Sequence, residues 1–336
     1  MSEIRVDLLH NQHVLIAPKR LHRPDFYQQE RKISKKDCPF CEGHENMTPP
    51  EIFAIRDNGA NDIHWKTRVV PNLYKAVQVE QSEGSKRDGL FEQINGVGAH
   101  EVLIDSPFHD KDLSLFDATF IELWLKTLIK RIEDLKNDKR LIYISIFKNF
   151  GQNSGATQEH PHTQLLALPL MPRSELDFLQ KNLKYYKKHG RGKLQDIIEN
   201  EKKSGERIID ENDDFVAYCP YASSFAFEVI IAPKRNISSL NYCRCEEVTS
   251  LSQMLESVFS KLHKQLGKFD YNLYFRLAPL NTNFENESFA SSIEKNFRFN
   301  IRIIPRIYRI GGFELSSNMA INPVAPEKSA HLLREG

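Results

Sequence analysis

The chain has 336 residues, 40% of them hydrophobic, and its 46 basic and 45 acidic side chains leave a formal charge of +1. That length suits two domains or one duplicated unit, and the balanced charge excludes a global field for nucleic acid or an anionic membrane. Five sparse cysteines (Cys38, Cys41, Cys219, Cys243 and Cys245), no apolar run at Met1 to Asp7 and no stretch of about eighteen apolar residues predict a soluble, cytoplasmic protein without a disulfide framework.

In chain order, residues 1–37 are polar and basic, with one apolar burst at Val14 to Pro18 that reads as a short strand before an Arg-rich loop. Cys38-Pro39-Phe40-Cys41 follows. Trp65 to Ala76 contains Arg68-Val69-Val70-Pro71-Asn72, a strand ending in a turn, and residues 81–97 read as an exposed loop. His100 to Asp105 alternates and is stopped by Ser106-Pro107, the mark of a strand. Residues 114–138 carry helical spacing through Leu115, Phe116, Phe120, Leu123, Trp124, Leu128, Ile129 and Ile132. Leu141 to Phe147 is a further strand, and 174–203 is helical and charged.

The same order then recurs. Phe227 to Pro233 echoes His100 to Pro107, a helix is predicted over 246–266, and Tyr271 to Arg276 echoes Tyr143 to Lys148. Arg302-Ile303-Ile304-Pro305 echoes Leu166-Ala167-Leu168-Pro169. This pattern predicts a tandem duplication of a strand–helix–strand–strand unit. In this alignment Asn296 takes the place of His160 and Arg298 that of His162, so the chemistry is expected in the first copy.

On a strand over 160–168, His160, His162 and Gln164 share one face. Pro161 holds the chain extended. Upstream, Asn149 to Thr157 is small, polar and Gly-containing, a loop able to bring N–H groups and hydroxyls against phosphate oxygens. Attack on an α-phosphorus needs a nucleophile uncharged near neutral pH and fixed donors for the phosphoryl oxygens; a neutral imidazole facing such a loop supplies both. Two incidental histidines, or a zinc site using both, are the competing readings.

Cys38-x-x-Cys41 supplies two soft ligands at zinc spacing, half of a structural site. His109, at a strand end after Ser106-Pro107-Phe108, and His160 are the expected partners, with His44, His64 and His100 as competitors. A redox pair is the alternative, although no thioredoxin-like pattern surrounds it.

Taken together and in this order, Val14 to Pro24, Cys38-Pro39-Phe40-Cys41, Arg68 to Asn72, Ser106 to His109, Asn149-x-Gly151 and His160-Pro161-His162-x-Gln164 resemble the galactose-1-phosphate uridylyltransferase family of the histidine triad superfamily. The resemblance covers nearly the whole chain. It implies an α+β fold of two tandem histidine-triad-like domains, each an antiparallel sheet with packed helices. The expected division is 1–172 for the catalytic domain with its zinc site, 173–208 for a helical linker, and 209–336 for a degenerate second domain.

By position the resemblance implies His162 as the nucleotidylated residue and Gln164 on the phosphoryl group. It implies Cys38, Cys41, His109 and His160 as structural Zn2+ ligands, with no second metal. Asn72 falls at the nucleoside, Arg23 at a phosphate, and Asn149, Gly155, Ala156 and Thr157 at the phosphates and sugar. Gly312, Phe313 and Glu314 fall at a substrate-binding tail. Partners would be a nucleotide sugar, a sugar 1-phosphate or phosphate, and a second copy of the chain. The implied activity is ping-pong UDP-glucose:hexose-1-phosphate uridylyl transfer. Asn72-Leu73-Tyr74 and Gly311-Gly312-Phe313-Glu314 are also similar to the plant ADP-glucose phosphorylase branch, which makes an ADP-sugar phosphorylase the alternative. A histidine-triad hydrolase is a further one.

Overall fold

A computed structural model describes residues 3–7, 12–16, 35–57, 59, 61–283 and 287–335. Strands β1 (Glu3–Asp7) and β2 (Gln12–Ile16) pair antiparallel. The first half then runs β3 (Phe53–Arg56), β4 (Trp65–Pro71), β5 (Ser85–Asp88), β6 (Phe91–Ile94), β7 (Ala99–Ile104), α1 (Ala118–Leu135), β8 (Tyr143–Phe150) and β9 (His162–Leu168). Helices α2 (Arg173–His189) and α3 (Lys193–Ser204) follow. The second half runs β10 (Ile208–Glu211), β11 (Phe215–Tyr218), β12 (Val229–Pro233), α4 (Cys245–Leu266), β13 (Tyr271–Arg276), α5 (Glu287–Asn296), β14 (Asn300–Pro305), α6 (Gly312–Ser317), β15 (Ala320–Asn322) and α7 (Pro326–Glu335).

Ten strands form one sheet in the order β3-β4-β7-β9-β8-β13-β14-β12-β11-β10, with every neighbouring pair antiparallel. Read outward from the β8–β13 seam, both halves have the same strand sequence, with α1 and α4 as matching helices. The duplicated pattern is therefore a duplicated fold, and its copies join edge to edge. Joining also removes two edges that would otherwise present unpaired backbone groups.

Helices α1 and α4 pack together and bury one sheet face. Trp124, Leu128 and Ile132 from α1 and Leu255, Phe259 and Leu262 from α4 belong to the same core as Ile146, Leu165, Leu273 and Ile301. Helical spacing made both apolar stripes legible. Asp117 caps α1 by accepting a hydrogen bond from the Phe120 N–H at 2.8 Å. On β9, alternation sends Thr163 and Leu165 to the covered face and His162 and Gln164 to the opposite one.

Three expectations change. Residues 81–97 contain the β5–β6 hairpin. The helical stretch 174–203 breaks into α2 and α3 at Gly190, whose φ of +70° closes α2. The duplicate register also shifts by two. β9 starts on His162 and β14 on Asn300, while Gln164 pairs with Phe147 as Arg302 pairs with Tyr274, and Phe147 and Tyr274 pair across the seam. Asn300, not Arg298, is thus the counterpart of His162, and Arg298 that of His160. A slip of two preserves alternation, so pattern matching does not detect it.

Candidate active site and metal centre

Cys38 and Cys41 lie on a short turn before β3, His109 follows β7, and His160 stands two residues before the start of β9. Their ligand atoms lie within 4.8 Å of one another. The Cys41 Sγ is 3.3 Å from His109 Nδ1 and 3.6 Å from His160 Nδ1, and the Cys38 Sγ is 3.7 Å from His160 Nδ1. Tetrahedral zinc with bonds of about 2.0–2.3 Å requires ligand separations of roughly 3.3–3.8 Å, the range of these three Sγ–Nδ1 distances, so the group can hold a divalent ion with S2N2 ligation. His160 Nε2–H donates to the Ser106 carbonyl at 2.8 Å, which leaves Nδ1 as the ligating lone pair. Burial pushes the Cys41 thiol up to about 12, with the neighbouring Cys38 adding to it, and burial lowers His160 to about 4. A cation in the centre reverses that cost to the Cys41 thiolate. His44 bonds the Cys38 carbonyl at 2.7 Å, and His64 stands beside Glu42, so neither belongs to this group.

His162, two residues after His160, is buried. Its Nδ1–H donates to the His160 carbonyl at 2.9 Å, so Nε2 holds the free lone pair. Burial lowers the His162 pKa, and the nearby Lys148 cation adds to this, keeping the imidazole neutral. Phe40, between the two cysteines, packs edge-on against both rings, with centroids 6.1 Å from His160 and 5.5 Å from His162.

The open face brings several expected residues together. His100 lies 3.0 Å from Gln164 Oε1 and 3.1 Å from Asn72 Nδ2. Asn149 is the last residue but one of β8, which leads into the loop with Gly155, Ala156 and Thr157. That loop turns at Gly151 (φ +81°) and Gly155 (φ +84°), and a Cβ on Gly151 would collide with the Asp270 carboxylate. Gly312, Phe313 and Glu314 do not join this group. Glu314 lines a separate pocket with Phe225, Tyr308 and Arg309 and accepts from the Gly311 N–H. Arg23 lies outside the described residues.

A network that no sequence pattern marks lies beneath the histidine strand. The Asp105 carboxylate accepts from Thr163 Oγ1 at 2.8 Å, from Trp124 Nε1 at 3.1 Å and from Lys148 Nζ. Lys148 also reaches the His162 carbonyl at 3.3 Å. Both charges are fully buried. Sequence patterning gives His100 only the place of a competing metal ligand and gives Asp270 and Asn272 no site role. Nothing local marks these residues, since their partners come from other strands.

Models of the galactose-1-phosphate uridyl transferase N-terminal and C-terminal domains match residues 1–172 and 179–334. An ADP-glucose phosphorylase from Arabidopsis thaliana is 32% identical over 99% of this chain and 92% of its own length. A galactose-1-phosphate uridylyltransferase from Thermotoga maritima is 27% identical over 100% and 98%. The crystal structure of an Arabidopsis thaliana ADP-glucose phosphorylase with bound ADP-glucose superimposes with a TM-score of 0.83 at 30% identity, covering 100% of this chain and 99% of that one. With both domain models matched in order and the site's geometry in place, this chain belongs to the galactose-1-phosphate uridyl transferase family.

Proposed function

We propose that His162 is the nucleophile of a double-displacement nucleotidyl transfer. The chain is an enzyme of the nucleotidyltransferase class, and nucleotide sugars and sugar phosphates fit it as substrates. One observation carries the assignment of His162: its Nδ1–H is held by the His160 carbonyl, so the Nε2 lone pair is the reactive one. Nε2 attacks the α-phosphorus, the bond to the sugar 1-phosphate oxygen breaks, and that phosphate leaves as an anion. A second phosphate oxygen then attacks the nucleotidyl-histidine and restores the imidazole. Positioning and fixed donors supply most of the catalysis.

Gln164, Asn149 and the 155–157 loop meet the phosphates in this reading, Asn72 the nucleoside and Arg23 a phosphate. Cys38, Cys41, His109 and His160 hold a structural Zn2+ that ties the amino-terminal segment to β9. Gly312, Phe313 and Glu314 complete the site of a second copy in a homodimer, which their separation from His162 supports, as do the exposed Leu73, Tyr74, Leu90 and Phe91. We place the domain limits at 1–172, 173–208 and 209–336, and the protein in the cytoplasm. No helix among the described residues is long and apolar enough to cross a membrane.

The family models support uridylyl transfer between UDP-glucose and a hexose 1-phosphate. The 32% identity to an ADP-glucose phosphorylase, against 27% to the uridylyltransferase above, favours a second reading, adenylyl transfer from an ADP-sugar to phosphate. Intact mass after incubation with UDP-glucose or ADP-glucose tests both. A UMP or AMP adduct identifies the nucleotide, and no adduct with either on metal-loaded protein overturns the covalent reading.

A further inference from the structure

Gln164 lies two residues from His162 on the same face of β9, Asn149 lies on the neighbouring strand β8, and each side-chain amide has a donor end and an acceptor end. Only the NH2 end can meet a phosphoryl oxygen. Nothing on either residue selects that end, so a neighbour must. In both cases a backbone group settles the polarity.

The Ala76 N–H donates to His100 Nδ1 at 3.1 Å. Nδ1 therefore carries the lone pair, and the neutral ring holds its proton on Nε2. That Nε2–H lies 3.0 Å from Gln164 Oε1 and donates to it. The opposite tautomer loses both bonds. The Asn72 amide nitrogen is 3.1 Å from the same Nε2, but a donor cannot bond a second donor, and Asn72 Oδ1 already accepts from the Tyr74 N–H at 2.9 Å. The Gln164 oxygen is thus held by His100, and its NH2 is the end left for a ligand.

The second case comes from the other half of the molecule. Asn272 on β13 lies opposite Asn149 on β8. Its Nδ2 is 2.9 Å from the Ser154 carbonyl, which can only accept, so the nitrogen end of Asn272 must face that way. The same nitrogen lies 2.7 Å from Asn149 Oδ1 and donates to it. Asn149 is held by its oxygen too. Beside it, Asp270 accepts from the Asn153 N–H at 2.7 Å and the Asn153 amide at 2.8 Å, which clamps the loop that Asn149 enters.

We infer that His100 and Asn272 are positioning residues that lock Gln164 and Asn149 by their oxygens, so that both NH2 groups face the phosphoryl group transferred by His162. The inference rests on the nucleotidyl-transfer reading. It also gives the second half of the fold a task in the first half's chemistry: Asn272 and Asp270 set the polarity and path of the phosphate cradle across the seam. A freely turning amide offers the wrong end to the phosphoryl group part of the time, and a wrong end repels the charge that builds in the transition state.

The test compares His100→Ala, His100→Gln, Asn272→Asp and Asn272→Ala with the native protein in single-turnover formation of the nucleotidyl-enzyme, using UDP-glucose and ADP-glucose, with melting temperature and metal content measured alongside. His100→Ala and Asn272→Asp are expected to lower the rate at saturating donor about tenfold to a hundredfold, the scale of one lost or misplaced oxyanion donor. Half-saturating donor concentration, melting temperature and metal content stay near native. His100→Gln, which keeps an N–H donor toward Gln164, recovers most of the rate. Asn272→Ala serves where Asn272→Asp does not fold. Native rates in the variants, a loss confined to half-saturation, or a loss that follows melting temperature or metal content overturns the positioning role while the function stands. Absence of an adduct on the native protein with both donors overturns the function and this inference with it.

Discussion

His162 donates its Nδ1 proton to the backbone carbonyl of His160, 2.9 Å away, while His160 turns its own Nδ1 toward two cysteine sulfurs. One residue belongs to the Cys/His group that can hold a metal and, through its main chain, sets the tautomer of the next histidine on that face. Local changes at the two positions should therefore have separable effects.

Replacing His162 by Gly removes Nε2 and leaves the His160 ligand group intact. The expected result is complete loss of the covalent adduct, with metal content unchanged and the melting temperature within a few degrees of native. Intact mass, metal analysis and thermal unfolding on one preparation check all three.

Cys38→Ser or His160→Ala takes one donor from the four-residue group. Metal content should fall and the protein should unfold at lower temperature, because metal binding and folding are coupled. A strong chelator should lower the melting temperature of the native protein and shift these variants less. Equal chelator shifts in native and variant proteins would count against the metal centre.

Lys148 and Asp105 form an ion pair with no exposed side-chain surface. Lys148→Met leaves a carboxylate buried without its cation, and Asp105→Asn leaves a buried ammonium. Each should cost about 3–5 kcal/mol in denaturant unfolding, and the double variant less than the sum of the two.

The Glu247 carboxylate is lowered from 4.5 to about 2, first by its hydrogen bond from Arg235 and also by the Arg244 N–H at the start of α4. In the unfolded chain it binds protons at higher pH. Its contribution to stability is therefore complete above about pH 4.5 and is lost as pH falls toward 2. Glu247→Gln should flatten that part of the stability–pH curve. Urea unfolding at several values between pH 3 and 6 reads the slope.

Gly151→Ala puts a Cβ into the Asp270 carboxylate at a φ of +81°. Strain of roughly 1–3 kcal/mol is expected, together with slower adduct formation, because the loop entering the cradle must move. The same change at Gly155 meets no atom within 4 Å, so it should carry the φ penalty alone.

Short-range chemistry was legible in the sequence. The Cys38–Cys41 spacing, the alternation that puts His162 and Gln164 on one face, and the helical stripes of α1 and α4 are set by neighbours within a few residues, where periodicity is a strong constraint. The duplication was legible for the same reason, although a slip of two left its register ambiguous between Arg298 and Asn300. The tertiary structure decided what depends on residues far apart in the chain. It joined the halves at β8 and β13, chose His109 and His160 over His44, His64 and His100, and buried Lys148 against Asp105. It also placed His100 on Gln164 and Asn272 on Asn149. A hydrogen bond between residues 64 or 123 positions apart leaves no period in the sequence, because its geometry is fixed by strand pairing rather than by chain spacing.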